Sequence, residues 1–221
     1  MTLAHAVASF DLSIPATSRS AAAIQLTGRL CLPDPAVGLV LFAHGSGSSR
    51  HSPRNQFVAS VLHESWLGTL LFDLLTEQEA TDRANVFDVG LLGDRLVAAI
   101  RHVSSLPQTA GLPLGLFGAS TGAAAALVAS VHEPRVAAIV SRGGRPDLAG
   151  PWLERVQAAT LLVVGGADTE VLELNEQVLR SLGCEKQLAV VPGATHLFEE
   201  PGALEEAARL AAEWFARHLR T

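Results

Sequence analysis

The chain has 221 residues, of which 48% are hydrophobic and 17% are charged. A chain of this size and apolar content can bury one compact core, which excludes a disordered tail or a peptide-sized module. Asp and Glu (22) outnumber Lys and Arg (16), for a formal charge of −6. Because this balance offers no basic surface to a polyanion, we expect neither nucleic acid nor a membrane as a partner.

The two cysteines and the apolar runs bear on the location of the chain. Cys31 and Cys184 lie far apart without a CxxC pattern, so neither a disulfide framework nor a zinc site is predicted. Residues 1–15 show no basic segment followed by an apolar stretch, and apolar runs such as residues 39–43 are too short to span a bilayer. We therefore expect a cytoplasmic protein. With no repeat and no long linker, residues 1–221 are expected to form a single domain.

The strand pattern changes after the first 32 residues. Residues 9–14 and 24–32 carry alternating or β-favouring residues around a turn, which predicts an antiparallel hairpin at a sheet edge. Six short apolar runs then follow, a pattern typical of strands that are buried on both faces. These runs are residues 37–43, 69–75, 112–117, 136–141, 160–164 and 187–191.

Helical periods lie between these runs. Apolar residues recur at steps of three and four over residues 89–103, 171–182 and 204–215. The last helix has acidic residues in its first turn and basic residues in its last, which complements the helix dipole. The alternation predicts an α/β fold with a doubly wound, mostly parallel eight-stranded sheet, an antiparallel N-terminal hairpin and helices on both faces. In such sheets, functional residues collect at the carboxyl ends of the strands.

A GxSxG motif lies at one of these strand ends. Gly118-Ala119-Ser120-Thr121-Gly122 follows the run 112–117 and opens an alanine-rich helix over residues 123–131. This strand–turn–helix context is the one that a nucleophile elbow requires, and Ser120 is the candidate nucleophile. The alternative is a tight turn in which the serine merely caps the helix.

The segment His44-Gly45-Ser46-Gly47-Ser48-Ser49 follows the run 37–43 and precedes a helix that Pro53 could open. Its glycines allow a bent backbone whose N–H groups point into a site. We assign the two donors of an oxyanion hole to the backbone amides of Ser46 and Thr121. A nucleotide phosphate loop is the alternative, but no GxGxxG or GK[ST] pattern completes it. We interpret His44 as a structural, hydrogen-bonded histidine rather than a base.

An acid and a histidine follow Ser120 in the order serine, acid, histidine that this fold class uses. Asp168 comes just after the run 160–164, and His196 lies in the loop after the run 187–191. A histidine can take the serine proton near neutral pH, and the carboxylate orients its ring. Individually, Asp168 could instead form an Asx turn and His196 could be a solvated loop residue. Asp147 is the rival acid, because it also follows a strand at this edge, but we favour Asp168 because its strand immediately precedes the strand before His196.

Taken together, these motifs resemble those of the α/β-hydrolases, and more narrowly a small dienelactone-hydrolase-like member. The resemblance runs from His44-Gly45 through Ser120 and Asp168 to His196, with serine where dienelactone hydrolases carry cysteine in the elbow. It implies ester-type hydrolysis without a metal or an organic cofactor.

The surroundings of the motifs bear on the substrate. Residues 142–159 leave room for one short helix near residues 151–156 but for no lid domain, so an open site for small esters is expected. Arg142 and Arg145 follow a strand at the carboxyl edge, and we hypothesise that they bind a substrate carboxylate or phosphate. The alternative is that such arginines pair with carboxylates, among them Asp147, or lie in solvent.

The acidic residues of the segment after the run 69–75 could suggest a metal. Glu77, Glu79 and Asp82 match no compact loop-ligand pattern, so no metal site is predicted and a solvated loop is expected. The combined interpretation is a serine hydrolase that cleaves a carboxylic ester, thioester or lactone through an acyl-enzyme. A peptidase or acyltransferase with the same triad, or a non-catalytic binding protein on the same fold, is the alternative.

Overall fold

The computed structural model describes residues 6–219. Their strands form one eight-stranded sheet with the order β1-β2-β4-β3-β5-β6-β7-β8. The strands are β1 (Val7–Thr17), β2 (Ala23–Pro33), β3 (Gly38–Ala43), β4 (Leu67–Phe72), β5 (Leu114–Ala119), β6 (Val136–Arg142), β7 (Ala159–Gly165) and β8 (Lys186–Val191). The helices are α1 (Pro53–Glu64), α2 (Glu77–Ala80), α3 (Arg83–Val86), α4 (Val89–Ser105), α5 (Thr121–His132), α6 (Thr169–Ser181) and α7 (Ala203–His218).

The pairing of the strands confirms the predicted fold class. β1 and β2 form an antiparallel hairpin at one edge, and β2 is antiparallel to β4. The pairs from β4 through β3, β5, β6 and β7 to β8 are all parallel. Only a kinked 3₁₀ segment, Pro146–Arg155, connects β6 to β7, so no lid domain lies there. The carboxyl ends of the parallel strands therefore share one accessible edge.

Helices cover both faces of the sheet, as the periodicity predicted. One hydrophobic cluster joins the sheet to α1 and α7, and the other joins it to α4, α5 and α6. The predicted stripe of α4 is buried, with Leu96, Ile100 and Val103 fully covered. At the start of α1, Pro53 follows Ser52, whose side chain accepts a hydrogen bond from the helix backbone. No helix in residues 6–219 combines the length and the apolar content of a membrane span.

Two strand predictions need correction. β4 ends at Phe72, so Leu74 and Leu75 lie in the following loop, where they are still buried. The strand predicted at residues 187–191 is β8, which lies at the sheet edge and leaves Val190 44% exposed. Its apolar run resembles that of a central strand because periodicity reports side-chain type and not the position of the strand in the sheet.

The acidic segment after β4 is not an irregular loop but forms the short helices α2 and α3. Thr76 and Glu79 form a capping box at α2. Glu79 also pairs with Arg95, a guanidinium that is 1% exposed. The carboxylate thus neutralises a buried cation. Within residues 6–219, no group of three or more His, Cys, Asp or Glu side chains is arranged to hold a metal ion.

Candidate active site

Ser120 lies at the sharp turn between β5 and α5. Its backbone has φ 50° and ψ −124°, a conformation that is strained for a residue with a side chain. Although it occupies the N-cap position of α5, its side chain makes no capping hydrogen bond. The helix-capping alternative is therefore not what the geometry shows, and the hydroxyl is left available.

The two motif glycines allow strand and helix to meet closely at this turn. A Cβ on Gly118 would lie 2.4 Å from Cα of Ala123, and one on Gly122 would lie 2.1 Å from the backbone oxygen of Ala43. Both distances are far below a normal contact, so a side chain at either position would force the backbone apart. The elbow therefore depends on glycine at both positions.

Asp168 and His196 form a hydrogen-bonded pair beyond the ends of β7 and β8. Nδ1 of His196 lies 2.7 Å from Oδ2 of Asp168. Asp168 is the N-cap residue of α6, yet its side chain makes no capping bond. The carboxylate is directed at the imidazole, which matches the pairing expected of an acid and a base. The His196 side chain remains 40% exposed.

Backbone contacts hold the loops that carry this pair. The N–H of Gly166 donates to the oxygen of Val191 at 2.8 Å, and the N–H of Ala167 donates to the oxygen of Ala194 at 2.9 Å. Glu200 accepts hydrogen bonds from the backbone N–H and the hydroxyl of Thr195, which holds the pKa of this carboxyl below its usual range. The sequence analysis missed Glu200, because nothing in its spacing distinguishes it from a solvated acid.

The loop after β6 lies against both Ser120 and His196. A Cβ on Gly143 would lie 2.9 Å from the backbone oxygen of His196, and the N–H of Arg145 donates to the oxygen of Ser120 at 3.0 Å. Among residues 6–219, neither the Ser120 hydroxyl nor Nε2 of His196 has a hydrogen-bond partner. Both candidate groups are thus free in this part of the chain, and a serine–base hydrogen bond often tightens only in the substrate complex.

The two amides assigned to the oxyanion hole lie at the same place. Thr121 is the first residue of α5, so its N–H has no acceptor within the helix. The N–H of Ser46 donates to the side-chain oxygen of Thr121, with a nitrogen–oxygen distance of 3.1 Å. Sequence reasoning brought the two residues together but did not foresee this hydrogen bond.

His44 has both ring nitrogens engaged. Its Nδ1 donates to the backbone oxygen of Gly45 at 3.0 Å, and its Nε2 accepts from the N–H of Leu74 at 3.1 Å. Burial lowers the pKa of His44 below its ordinary value, although Gly45 and Asp73 act in the opposite direction. The ring connects the ends of β3 and β4 in its neutral form, as the structural interpretation requires.

A cavity of about 520 Å³ lies next to these residues. It is bordered by residues 44–51, by the segment 73–77 after β4, and by Thr121. Ser120, Asp168 and His196 are not among its described lining residues, so the cavity reaches the elbow from the side of Ser46 and Thr121. Arg50, which lines it, forms an ion pair with Asp73.

The two arginines proposed for substrate binding have different surroundings. Arg145 donates two hydrogen bonds to Asp147, at 2.9 and 2.8 Å, so this guanidinium is paired and both carboxylate oxygens of Asp147 are engaged. Arg142 is 8% exposed and has no carboxylate partner among the described residues. Because both oxygens of Asp147 accept from Arg145, Asp168 is the acid that geometry favours.

Arg142 packs between aromatic rings below the site. Its guanidinium carbon lies 5.9 Å from the ring centres of Phe117 and Phe198, and Nη2 lies 3.4 Å from the side-chain oxygen of Asn55. Its Nη1 is buried without a hydrogen-bond partner in the described part of the chain. Burial, assisted by the charge of Arg54, lowers the pKa of Arg142 to about 10, which still leaves it charged at neutral pH.

The family model of the dienelactone hydrolases matches residues 76–220, which is more than half of the chain. The chain belongs to the dienelactone hydrolase family. This membership makes it a hydrolase of the α/β type, in agreement with the fold and with the elbow. The matched residues include Ser120, Asp168 and His196, while the Ser46 loop precedes the matched region.

Solved structures agree with this family membership. A dienelactone hydrolase from Anabaena variabilis ATCC 29413 is 50% identical to this family member, with a TM-score of 0.89 over 96% of this chain and 99% of that chain. Est1E from Butyrivibrio proteoclasticus has a TM-score of 0.74 over 93% of this chain and 99% of that chain, but only 14% identity. The second similarity shows the fold alone.

Two strains of Mycobacterium tuberculosis have relatives that are 57% identical over 198 residues, or 89% of this chain. These relatives carry the provisional name phosphoribosyl transferase. The match spans only 44% of their length. More than half of each relative therefore lies outside the match, and the name applies to the whole of that longer protein.

Proposed function

We propose that this chain is a serine hydrolase that cleaves a carboxylic ester, a thioester or a lactone through an acyl-enzyme. Ser120 attacks the carbonyl carbon while His196 takes its proton, and Asp168 stabilises the imidazolium that forms. The backbone amides of Ser46 and Thr121 are the donors proposed for the oxyanion. The protonated histidine then delivers its proton to the leaving group, and water hydrolyses the acyl-enzyme through a second tetrahedral step.

One observation carries the proposal: the 2.7 Å bond between His196 and Asp168, at the strand edge where Ser120 adopts the strained elbow conformation. A serine kept only for helix capping would need no positive φ. An aspartate kept only as an N-cap would direct its carboxylate to the backbone. Neither the Ser120 nor the Asp168 side chain makes the helix-capping hydrogen bond that such a role would require.

Substitution of Ser120 by alanine tests the proposal directly. We expect Ser120→Ala to abolish turnover of a short p-nitrophenyl ester and labelling by a fluorophosphonate probe, because the substitution removes the proposed nucleophile. Ser130→Ala is the matched control: Ser130 lies on α5, the helix that Ser120 precedes, and its buried hydroxyl donates to Leu127. Retained turnover in Ser120→Ala, with intact folding, would refute the proposal.

The cavity beside the oxyanion loop supports small substrates over long lipid chains. At about 520 Å³, its volume suits a drug-sized or smaller group, and charged as well as apolar side chains line it. A panel of short esters, thioesters, lactones and peptides separates hydrolysis of esters from peptidase activity. The same panel with added alcohol or amine acceptors detects acyl transfer. A folded protein that the fluorophosphonate does not label would favour a binding role instead.

We also propose that an arginine beside the site binds an anionic group on the substrate. Arg142 is the better candidate, since no carboxylate of residues 6–219 pairs with it, while Arg145 is paired with Asp147. We expect Arg142→Gln to lower the ratio of kcat/KM for anionic over neutral esters about tenfold, and Arg145→Gln to change it little. An unchanged ratio in both variants would contradict the proposal.

A further inference from the structure

The hydroxyl of Thr121 accepts a hydrogen bond from one of the two amides of the proposed oxyanion hole. The N–H of Ser46 points at this hydroxyl rather than into open space, at a nitrogen–oxygen distance of 3.1 Å. A donor that is already engaged does not face the substrate oxygen directly. Any role of the Ser46 amide at an oxyanion therefore has to account for the Thr121 side chain.

The Thr121 hydroxyl accepts this hydrogen bond but has no acceptor for its own proton among residues 6–219. Thr121 is only 4% exposed, and it lines the cavity together with Gly45 and Ser46. A buried hydroxyl normally donates as well as accepts, because an unused donor costs free energy when water is excluded. The free proton of Thr121 is thus available to a group that enters from the cavity side.

Two other buried hydroxyls donate to a backbone oxygen, although the buried hydroxyl of Ser141 has no partner in the described part of the chain. Ser130 on the same helix donates to Leu127 at 2.7 Å, and Thr160 donates to Ala158 at 2.9 Å. Thr121 has no such option within α5, because it is the first residue of the helix and no helical carbonyl precedes it. Its position at the elbow leaves the hydroxyl proton without a local acceptor.

We propose that the Thr121 hydroxyl is itself a donor of the oxyanion hole, and that the Ser46 amide acts through it. When Ser120 attacks, the carbonyl oxygen gains negative charge and accepts from the Thr121 hydroxyl and from the Thr121 N–H. The Ser46 N–H polarises the hydroxyl, since a hydroxyl that accepts a hydrogen bond becomes a stronger donor. This inference rests on the proposed hydrolase function and replaces the direct role of the Ser46 amide.

Three substitutions at Thr121 separate this arrangement from a direct contact with the Ser46 amide. Thr121→Val keeps the shape but removes the hydroxyl, and we expect kcat for a p-nitrophenyl ester to fall about 100-fold with KM nearly unchanged. Thr121→Ser keeps the hydroxyl and should stay within about threefold of the wild type. Thr121→Ala frees the Ser46 N–H and should still lose activity about as strongly as the valine variant.

The opposite pattern would overturn the inference. If Thr121→Val and Thr121→Ala match or exceed the wild-type kcat, the hydroxyl is not a donor and the Ser46 amide acts directly. Thr160→Val is the matched control for loss of a buried hydroxyl away from the site, and its kcat should stay at the wild-type value. Thermal unfolding of each variant checks folding, and Thr121→Ala serves if the valine variant does not fold.

A second measurement distinguishes failure of this inference from failure of the proposed function. A trifluoromethyl ketone forms a tetrahedral adduct with the serine and places an oxyanion in the hole. Its affinity should fall about 100-fold in Thr121→Val and stay near wild type in Thr121→Ser. If turnover depends on Ser120 but Thr121→Val and Thr121→Ser both bind the ketone as tightly as the wild type, the hydroxyl is not an oxyanion donor. The proposed hydrolase function then still stands. Absence of Ser120-dependent turnover in the wild type defeats the hydrolase function, and the hydroxyl role with it.

Discussion

His44 and His196 each follow a parallel strand of the same sheet, yet their surroundings differ in one decisive respect. Both ring nitrogens of His44 are engaged by backbone groups of Gly45 and Leu74. His196 uses only Nδ1, in its bond to Asp168, and its Nε2 has no partner in the described part of the chain. The comparison teaches that the free ring nitrogen, rather than the position at a strand end, distinguishes a candidate base from a structural histidine.

The largest expected effect comes from the partner of His196. Asp168→Asn keeps the size of the side chain but removes the charge that orients the imidazole and stabilises its protonated form. We expect kcat to fall about 10³-fold to 10⁴-fold, with little change in the free energy of unfolding. Steady-state kinetics with a p-nitrophenyl ester and urea denaturation measure the two quantities.

Asp147→Asn is the control for this substitution, because Asp147 also follows a parallel strand but both its carboxylate oxygens accept from Arg145. Its kcat should stay within a few-fold of the wild type. Equal losses in the two variants would remove the special role of Asp168 and weaken the contrast between the two histidines.

A smaller effect is expected at His44, and mainly on stability. His44→Gln shortens the connection between the ends of β3 and β4 and leaves at least one of its two backbone hydrogen bonds unmade. We expect a loss of about 1–2 kcal/mol in the free energy of unfolding, and a kcat that falls less than tenfold. A loss of kcat as large as that of Asp168→Asn would mean that His44 belongs to the chemistry.

The pH dependence of stability sharpens the same comparison. Burial lowers the pKa of His44 in the folded protein below its value of 6.5 in the unfolded chain, and the pKa of His63 is lowered for the same reason. At pH values between the lowered folded-state pKa and 6.5, the unfolded state binds more protons than the folded state. The free energy of unfolding should therefore fall as the pH drops below about 6.5. Urea denaturation should show a smaller fall in His44→Gln, with the His63 contribution remaining.

Most of the fold was predictable because its signals are local. The GxSxG motif and the apolar runs report side-chain size and type, and these determine where strands and helices begin. The strand order and the exposure of Val190 were not predictable, since they depend on which strand lies next to which. Glu79 shows the same limit: it looks like a solvated acid, but it neutralises the buried Arg95 across the fold.

The sequence by itself determined the alternation of strands and helices, the elbow at Ser120, and the chain order of Ser120, Asp168 and His196. Only the tertiary structure shows that Asp168 contacts the histidine, as the strand order favoured, and that Ser46 donates to Thr121. It also shows that Arg145 pairs with a carboxylate, whereas Arg142 has no carboxylate partner in residues 6–219. The physical reason is that spacing along the chain governs local backbone geometry. Hydrogen-bond partners from distant segments are selected only when the strands pack side by side.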